Sequence, residues 1–256
     1  MSASARLDIG AFRRALYGVA GLALFLVAWQ IVGHYGLAGL AWPPLTAVFE
    51  LLADRNRWPL LGRALDATIT ATALGYLFGA LLGVGAAVAS HLLPVMRRGT
   101  DRLAAVINSI PSIALGPVFI VFLSRESTPV AIAAAHVAFI LYVAASSGLA
   151  AATRGHHDLL TVLGASSVKR LWHLDLPAAL PAFTTGLKLA IPAALIGTII
   201  GEWFGAPRGL GVLIVNAMQN FQIPLLWSVV VLIAATSLTL YLLLTLLERA
   251  CYARFA

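Results

Sequence analysis

The sequence is short of charged residues. Only 11% of its 256 residues are Asp, Glu, Lys or Arg, whereas a soluble domain carries roughly 25%. Hydrophobic residues make up 61% of the chain, and the mean hydropathy is +0.93. A surface so poor in charge does not face water over most of its area. We therefore predict an integral membrane protein surrounded by membrane lipid.

Other absences exclude further classes of protein. A single cysteine, Cys251, leaves no intramolecular disulfide framework. The net charge of +7 lies in short clusters beside apolar runs rather than in a stripe with interleaved aromatic residues, so we expect no nucleic-acid partner. The chain also has no GxxxxGK[ST] phosphate loop, no HExxH zinc motif and no paired acids within its apolar runs. We expect neither catalysis nor a cofactor or metal on this chain.

Long apolar runs are what the sequence does contain. A helix that crosses a bilayer needs roughly 20 residues. Six runs meet this length and predict an all-α, polytopic protein with spans at about 15–36, 67–90, 103–123, 129–150, 183–205 and 225–247. Prolines interrupt the third span at Pro111 and Pro117 and the fifth at Pro192. The first run is predicted to be an uncleaved span, and residues 48–58 a short interfacial helix.

The distribution of Lys and Arg favours one orientation. If both termini are cytoplasmic, 12 of the 17 Lys and Arg residues lie in inside segments and five in outside segments, as the positive-inside rule requires. Trp42, Trp58, Trp203 and Trp227 then fall near outer ends of spans, where aromatic belts form. The loop after the fourth span is therefore predicted to be cytoplasmic.

That loop is long, and its sequence follows a regular pattern. It reads HHDLLTVLGASSVKRLWHLDLPAALPAF over residues 156–183. Asp158 is predicted to cap a short helix that ends with Gly164 at its C′ position, and Ser166 or Ser167 to cap a second helix. Leucines and a valine of the first helix, at 159, 160, 162 and 163, give it an apolar side on the cytoplasmic surface. Such a patch usually marks a protein contact.

Several residues within the spans allow two interpretations. Gly75, Gly79 and Gly83 share a face of the second span, which predicts a helix-packing seam. Polar residues and a proline cluster at one level of the third span, either to line a substrate pathway or to kink the helix: Asn108, Ser109, Pro111 and Ser112. His136 is expected to be a hydrogen-bonded packing residue rather than a proton relay.

Glu202, beside Trp203, is an acid near the outer end of the fifth span. It either lines the pathway or pairs with Arg208 at the outer surface. The pathway reading predicts that Glu202→Ala impairs uptake and leaves the amount of assembled complex unchanged.

The patterned loop resembles that of ABC-importer permeases, which reads EAA, three residues, Gly, nine residues, Ile, one residue and Leu-Pro. Here those positions hold Asp158-Leu159-Leu160, Gly164, Leu174 and Leu176-Pro177, so that DLL stands in place of EAA. Further stretches resemble permeases of the nitrate, sulfonate and taurine type: WPP, NSIPSIALGPVFI, LPAALPAFTTGLKLA, GEWFGAPRGLGVLI and LYLLLTLLER. The resemblance extends from about Trp42 to Arg249.

This resemblance implies a type I ABC-importer permease fold in a single transmembrane domain over residues 1–256. The core would lie at about 67–247 and a cytoplasmic coupling loop at about 151–182. In the family, the loop docks on an ATP-binding subunit, which holds the ATP and Mg and hydrolyses the ATP. A periplasmic or extracellular solute-binding protein delivers the solute, and a second permease copy completes the pathway. We expect a homodimer in the bacterial cytoplasmic (inner) membrane.

The resemblance also assigns residues. Those that would couple to the ATP-binding subunit are Asp158, Leu160, Leu163, Gly164, Ala165, Lys169, Arg170, Leu176 and Pro177. Those that would line the substrate pathway are Asn108, Ser109, Pro111, Ser112, Glu202 and Trp203. A stand-alone proton- or ion-coupled carrier is the alternative function, and a scaffolding membrane protein a further one. Either alternative would do without an ATPase.

Overall fold

The computed structural model describes the backbone of residues 9–255, with side chains at 16–246 and at Arg13, Glu248 and Arg249. Within these residues every regular element is helical, which confirms the all-α prediction. The α-helices are α1 (Ile9–His34), α2 (Leu45–Ala53), α3 (Trp58–Leu92), α4 (Pro94–Ser109), α5 (Ser112–Phe122), α6 (Thr128–Leu149), α7 (Arg154–Val162), α8 (Ser167–Arg170), α9 (Leu176–Glu202), α10 (Leu210–Gln219) and α11 (Ile223–Phe255). A 3₁₀ turn covers Gly39–Ala41, and a π-helical segment at Leu171–Asp175 joins α8 to α9. Arg6, which entered the count of inside cations, lies outside the described residues.

Among the described residues, five helical stretches are long and apolar enough to cross a membrane. They are Leu16–His34, Trp58–Leu92, Thr128–Leu149, Ser167–Glu202 and Ile223–Leu246. The pair α4 and α5 passes the same test jointly but is bent by 98° at its break. Counting this pair as one broken span gives the six that the sequence predicts.

The third span, predicted over 103–123 with interruptions at Pro111 and Pro117, is broken at the first of these prolines. The helix stops at Ser109, and Pro111 adopts an extended backbone with φ −56° and ψ 124° before α5 begins. Proline disfavours helical geometry in the residue before it, which accounts for the break at Ile110. Pro117 lies inside α5 and Pro192 inside α9, and neither helix is broken there.

Helix ends also differ from the sequence expectations. The interfacial helix predicted at 48–58 is α2, which ends at Ala53, and a turn then leads directly into α3 at Trp58. The second span is therefore 35 residues long. The fifth span likewise starts at Ser167 rather than near residue 183, so that Pro177 and Pro181 lie within the helical rod. Both helices are longer than the roughly 20 residues that cross the hydrocarbon core, so hydropathy does not show where they end.

The chain divides into two compact units. The first consists of Met1–Pro59 and Ala217–Ser228. In its described part the rings of Trp29, Trp42 and Trp227 pack with centroids 4.8–4.9 Å apart. The Trp227 indole N–H donates to the carbonyl of Ala41 at 2.9 Å. The chain segments of this unit are thus joined by aromatic packing and indole hydrogen bonds.

The second unit, Leu60–Asn216 and Val229–Ala256, holds the loop and the polar span residues. Its core is formed by α6 against α9 and α3, with fully buried residues such as Val137, Leu141 and Ala194. Gly79 of α3 faces α6 so closely that an added Cβ would lie 2.6 Å from the carbonyl oxygen of Ala134. Gly75 and Gly83 meet α6 in the same way. Small residues thus allow α3 and α6 to touch along their backbones.

Candidate functional site

The loop after α6 forms a helix, a glycine stop and a second helix. Thr153 is the N-cap of α7, and Leu163 its C-cap. Gly164 has φ +72°, its N–H donates to Thr161 O at 3.0 Å, and the N–H of Ala165 donates to Leu160 O at 2.9 Å. These two bonds form a Schellman motif, in which glycine supplies the left-handed conformation at little cost. The loop conformation therefore depends on Gly164.

Ser166 begins the second helix, as one of the two predicted caps. Its Oγ accepts a hydrogen bond from the backbone N–H of Lys169 at 3.3 Å. Arg170 donates from Nη1 to Thr161 Oγ1 at 2.7 Å, which ties α8 back to α7. The prediction that Asp158 caps the first helix is wrong, because α7 begins four residues earlier and places Asp158 inside it. Thr153 takes the N-cap position instead, and its carbonyl accepts from the N–H groups of His156 and His157 at 3.1 and 3.3 Å.

An apolar surface covers the end of α7 and its C-cap. Leu159, Val162 and Leu163 are 58%, 86% and 70% exposed, whereas Leu160 is half-buried. No residue of α7 is buried. The surface lies among exposed polar groups, including Asp158 and Lys169, which favour water over lipid. It can take up a protein partner.

The remaining coupling candidates lie in the turn between α7 and α8 and in the first turn of α9. Leu176 is half-buried and Pro177 exposed in the first turn of α9, and Ala165 is half-buried between α7 and α8. The loop thus brings the predicted coupling residues onto two short helices and the turn that follows the π-helical segment.

A buried acid lies directly behind the loop. Asp175 is 2% exposed and ends the π-helical segment. Its Oδ2 accepts a hydrogen bond from His91 Nε2 of α3 at 2.9 Å, and its Oδ1 lies 3.3 Å from His157 Nε2 of α7. The three side chains connect three helices whose residues are distant in the sequence.

The break between α4 and α5 gathers the predicted pathway residues. Asn108, Ser109 and Pro111 are exposed on the surface of the chain. Ser112 is half-buried, and its Oγ lies 2.7 Å from His136 Nε2, while His136 Nδ1 lies 2.9 Å from Ile132 O. Since a carbonyl only accepts, Nδ1 carries the proton and Nε2 accepts from the Ser112 hydroxyl in the neutral ring. His136 is therefore the hydrogen-bonded residue that the sequence predicts.

Glu202 and Trp203 lie apart from this break. Trp203 is exposed at the C-cap of α9, but Glu202 is 2% exposed. The Glu202 carboxyl group accepts from Thr68 Oγ1 of α3 at 2.7 Å and from the Gly211 N–H at 2.6 Å. Thr68 Oγ1 in turn accepts from the N–H of Leu210 at 2.8 Å, so both side chains cap α10. Arg208 is exposed, and no ion pair joins it to Glu202 among the described residues.

Sequence reasoning missed Asp175, His91, His157 and Thr68. The first three come together only because α7 folds back beside the end of α3. A signal was present for one of them: Asp175 is the last acid before the apolar run that leads to Glu202. Side chains at 16–246 contain no group of three or more His, Cys, Asp or Glu arranged to hold a metal ion.

Comparisons with known proteins agree with this geometry. A family model described as "Binding-protein-dependent transport system inner membrane component" matches residues 75–255. A probable ABC transporter permease protein of Haemophilus influenzae is 28% identical over 223 residues, covering 85% of this chain and 89% of the relative. The formylaminopyrimidine transport permease protein ThiX of Halalkalibacterium halodurans is 29% identical over 203 residues, covering 78% and 80%.

A solved structure shares the fold. An inward-facing form of the MetNI methionine ABC transporter contains a chain that superposes with a TM-score of 0.69 at 17% identity. The match covers 77% of this chain and 99% of the other.

Proposed function

Because the chain belongs to the family of binding-protein-dependent transport system inner membrane components, we propose that it moves a small solute by alternating access. The solute would arrive on an external binding protein, and a homodimer of this chain would form the pathway. Members of the family are permease subunits of ABC importers, with the type I permease fold, and ATP hydrolysis lies with a separate subunit. ATP and Mg therefore belong to the partner.

The observation that carries the proposal is the apolar surface of Leu159, Val162 and Leu163. These side chains lie exposed on a loop between two spans, beside charged residues that favour water over lipid. An ATP-binding subunit that docks there would push on α7, and α7 is connected to the ends of α3 and α9. The cation distribution supports cytoplasmic termini and a cytoplasmic loop.

The pathway is proposed to run past the break between α4 and α5. Asn108 and Ser109 are exposed there, and the break leaves the backbone of Ile110 and Pro111 outside a regular helix. Irregular backbone at membrane depth is tolerated only beside protein or a water-filled cavity. A second copy that faces this region would enclose it.

Selectivity is proposed to reside in the binding protein. Relatives at 24–29% identity are named for formylaminopyrimidine, aliphatic sulfonates, taurine, riboflavin and bicarbonate. These compounds differ in charge, size and shape, and yet the permease chains remain similar over most of their length. A pathway that discriminates little among solutes fits this range.

A pull-down tests the proposal. The tagged, detergent-solubilised chain is compared with a Gly164→Pro, Leu163→Arg double variant, with ATPase activity assayed on both. Leu163 is chosen since it is 70% exposed, so that an arginine there alters the docking surface and not the core. The original chain should copurify an ATPase and the double variant should not.

The control is Leu40→Arg, a leucine that is even more exposed, at 95%, in the connection that the proposed orientation places on the opposite side of the membrane. It should retain the ATPase. Transport by the chain alone, in vesicles without an ATPase, would contradict the proposal and favour a carrier.

A further inference from the structure

Asp175 is a buried acid at the junction of the docking loop and the spans. It is 2% exposed, and its oxygens face His91 of α3 and His157 of α7. No Lys or Arg lies within 4.0 Å of it among the described side chains. A buried carboxylate is costly unless it is hydrogen-bonded and paired. The two histidines are therefore the groups that make this position acceptable for an acid.

Charged groups on the neighbouring helices are engaged elsewhere or exposed. Arg170 of α8 donates to Thr161 and Ser167, and Lys169 is exposed. On the other side, Asp101 of α4 accepts from the hydroxyl of Tyr142 of α6 at 2.6 Å. Asp175 thus connects to the rest of the chain through His91 and His157, and not through a wider charge network.

The helix α7 is attached to the chain mainly by polar contacts. It has no buried residue, and Leu160 is its one half-buried leucine, so apolar packing fixes its position only weakly. Two side-chain contacts cross from it to the following segment: Thr161 with Arg170, and His157 with Asp175. The second contact leads into the interior, since Asp175 also holds the last turn of α3 through His91. If α7 is displaced, either the contact between His157 and Asp175 lengthens or Asp175 moves with the helix.

Local geometry at Asp175 allows movement. The acid ends a π-helical segment that lies within the helical stretch from Ser167 to Glu202. Single π-helical turns inside α-helices are frequent at functional sites. Asp175 Oδ1 has no hydrogen bond among the described residues, although His157 Nε2 lies 3.3 Å away. A small rotation of His157 would complete that bond.

We propose that Asp175 is the positioning residue that transmits movement of α7 to the ends of α3 and α9, through its contacts with His157 and His91. The inference rests on the proposed function, since it needs a partner that moves α7. Docking itself uses the exposed surface of Leu159, Val162 and Leu163, and transmission uses the buried acid behind it. Loss of the acid should therefore prevent movement of α7 from reaching α3 and α9, while the partner remains bound.

The test uses a reporter that needs no knowledge of the solute. Cys251, the one cysteine in the sequence, is replaced by serine, and Ser109 at the exposed break is replaced by cysteine. The full complex with its ATP-binding subunit is reconstituted in lipid nanodiscs. The labelling rate of Cys at position 109 with N-ethylmaleimide is measured without nucleotide and after trapping with ATP and vanadate.

Three variants in this background probe the contact. Asp175→Asn removes the charge, and His157→Leu cuts the link to α7 while leaving the acid with His91. His157→Gln keeps an N–H donor at the position of Nε2 and should restore the link. The matched control is His173→Gln, a neighbouring exposed histidine of the π-helical segment whose ring contacts the Lys169 carbonyl four residues earlier.

The expected result is a nucleotide-dependent change in labelling for the reference, His157→Gln and His173→Gln. The change should be lost in Asp175→Asn and His157→Leu, with the same amount of ATP-binding subunit copurified. A retained response in these two variants would overturn the inference. So would loss of the partner from His157→Leu, since the contact would then hold the docking surface rather than transmit its movement.

If Asp175→Asn fails to assemble, the labelling response of His157→Leu alone tests the inference. Failure of the proposed function looks different. In that case the unaltered reference copurifies no ATP-binding subunit, or its labelling rate does not respond to nucleotide at all.

Discussion

Glu202 of α9 and Thr68 of α3 share a hydrogen bond of 2.7 Å in the interior of the chain. The same carboxyl group accepts from the backbone of Gly211, and Thr68 accepts from the backbone of Leu210. Each oxygen of Glu202 accepts a hydrogen bond within its own chain, and the side chain is only 2% exposed. The arrangement supports a structural role at the start of α10.

Glu202→Ala is therefore expected to lower stability. It leaves the Thr68 hydroxyl and the Gly211 N–H without their acceptor, and each buried orphan costs about 1–3 kcal/mol. The apparent melting temperature of the detergent-solubilised chain, followed by circular dichroism, should fall, and so should the amount of assembled complex. Arg208→Ala, at an exposed site, is the control and should change neither. Equal losses in both variants would instead support an ion pair between Glu202 and Arg208.

Gly83 and Gly85 provide a matched pair on α3. A Cβ at Gly83 would collide with the backbone of Ala138 on α6, whereas at Gly85 nothing lies within 4 Å. Gly83→Ala must push α3 and α6 apart, and we expect a lower melting temperature and less folded protein. Gly85→Ala should be neutral or slightly stabilising, because alanine is the better helix former. A similar loss in both variants would mean that the two helices do not meet along this face.

Hydropathy gave the spans in the right order because lipid exposure selects apolar residues directly. It could not give the ends of α3 and of the Ser167–Glu202 rod, since a helix that continues into water leaves no apolar signal. Pro111 indicated an interruption, but its 98° angle depends on how α5 packs against α6 and α9. Hydrogen-bonding partners were also beyond reach of the sequence. Thr68 and Glu202 are 134 residues apart, and only the folded helices bring them together.

Glu248 and Lys188 predict a pH dependence of stability. The hydrogen bond from Lys188, with a second from Thr185, lowers the pKa of Glu248 below its ordinary value of 4.5. A carboxyl group with a lower pKa in the folded state stabilises the fold above its unfolded pKa. That contribution is lost as the pH falls below 4.5 and through the folded-state pKa.

The melting temperature of the original chain should thus fall more steeply between about pH 5 and pH 3 than that of Glu248→Gln, which has no carboxyl group to titrate there. Glu126→Gln removes an exposed acid and serves as the control. Its melting curve should follow that of the original chain across the same range. Parallel curves for the original chain and Glu248→Gln would contradict the role of this pair.

A comparison of Gly164 with Gly155 distinguishes the effect of backbone conformation from that of the space available for a side chain in the docking loop. Neither has an atom within 4 Å of an added Cβ, but Gly164 has φ +72° and Gly155 lies within α7. Alanine at 164 costs about 1–2 kcal/mol in the left-handed conformation. Gly164→Ala should therefore reorient the docking surface and reduce copurified ATPase several-fold, while Gly155→Ala leaves it unchanged. Asparagine tolerates this conformation better than alanine, so Gly164→Asn should recover part of the loss. Equal copurification by all three variants would show that docking does not depend on the glycine turn.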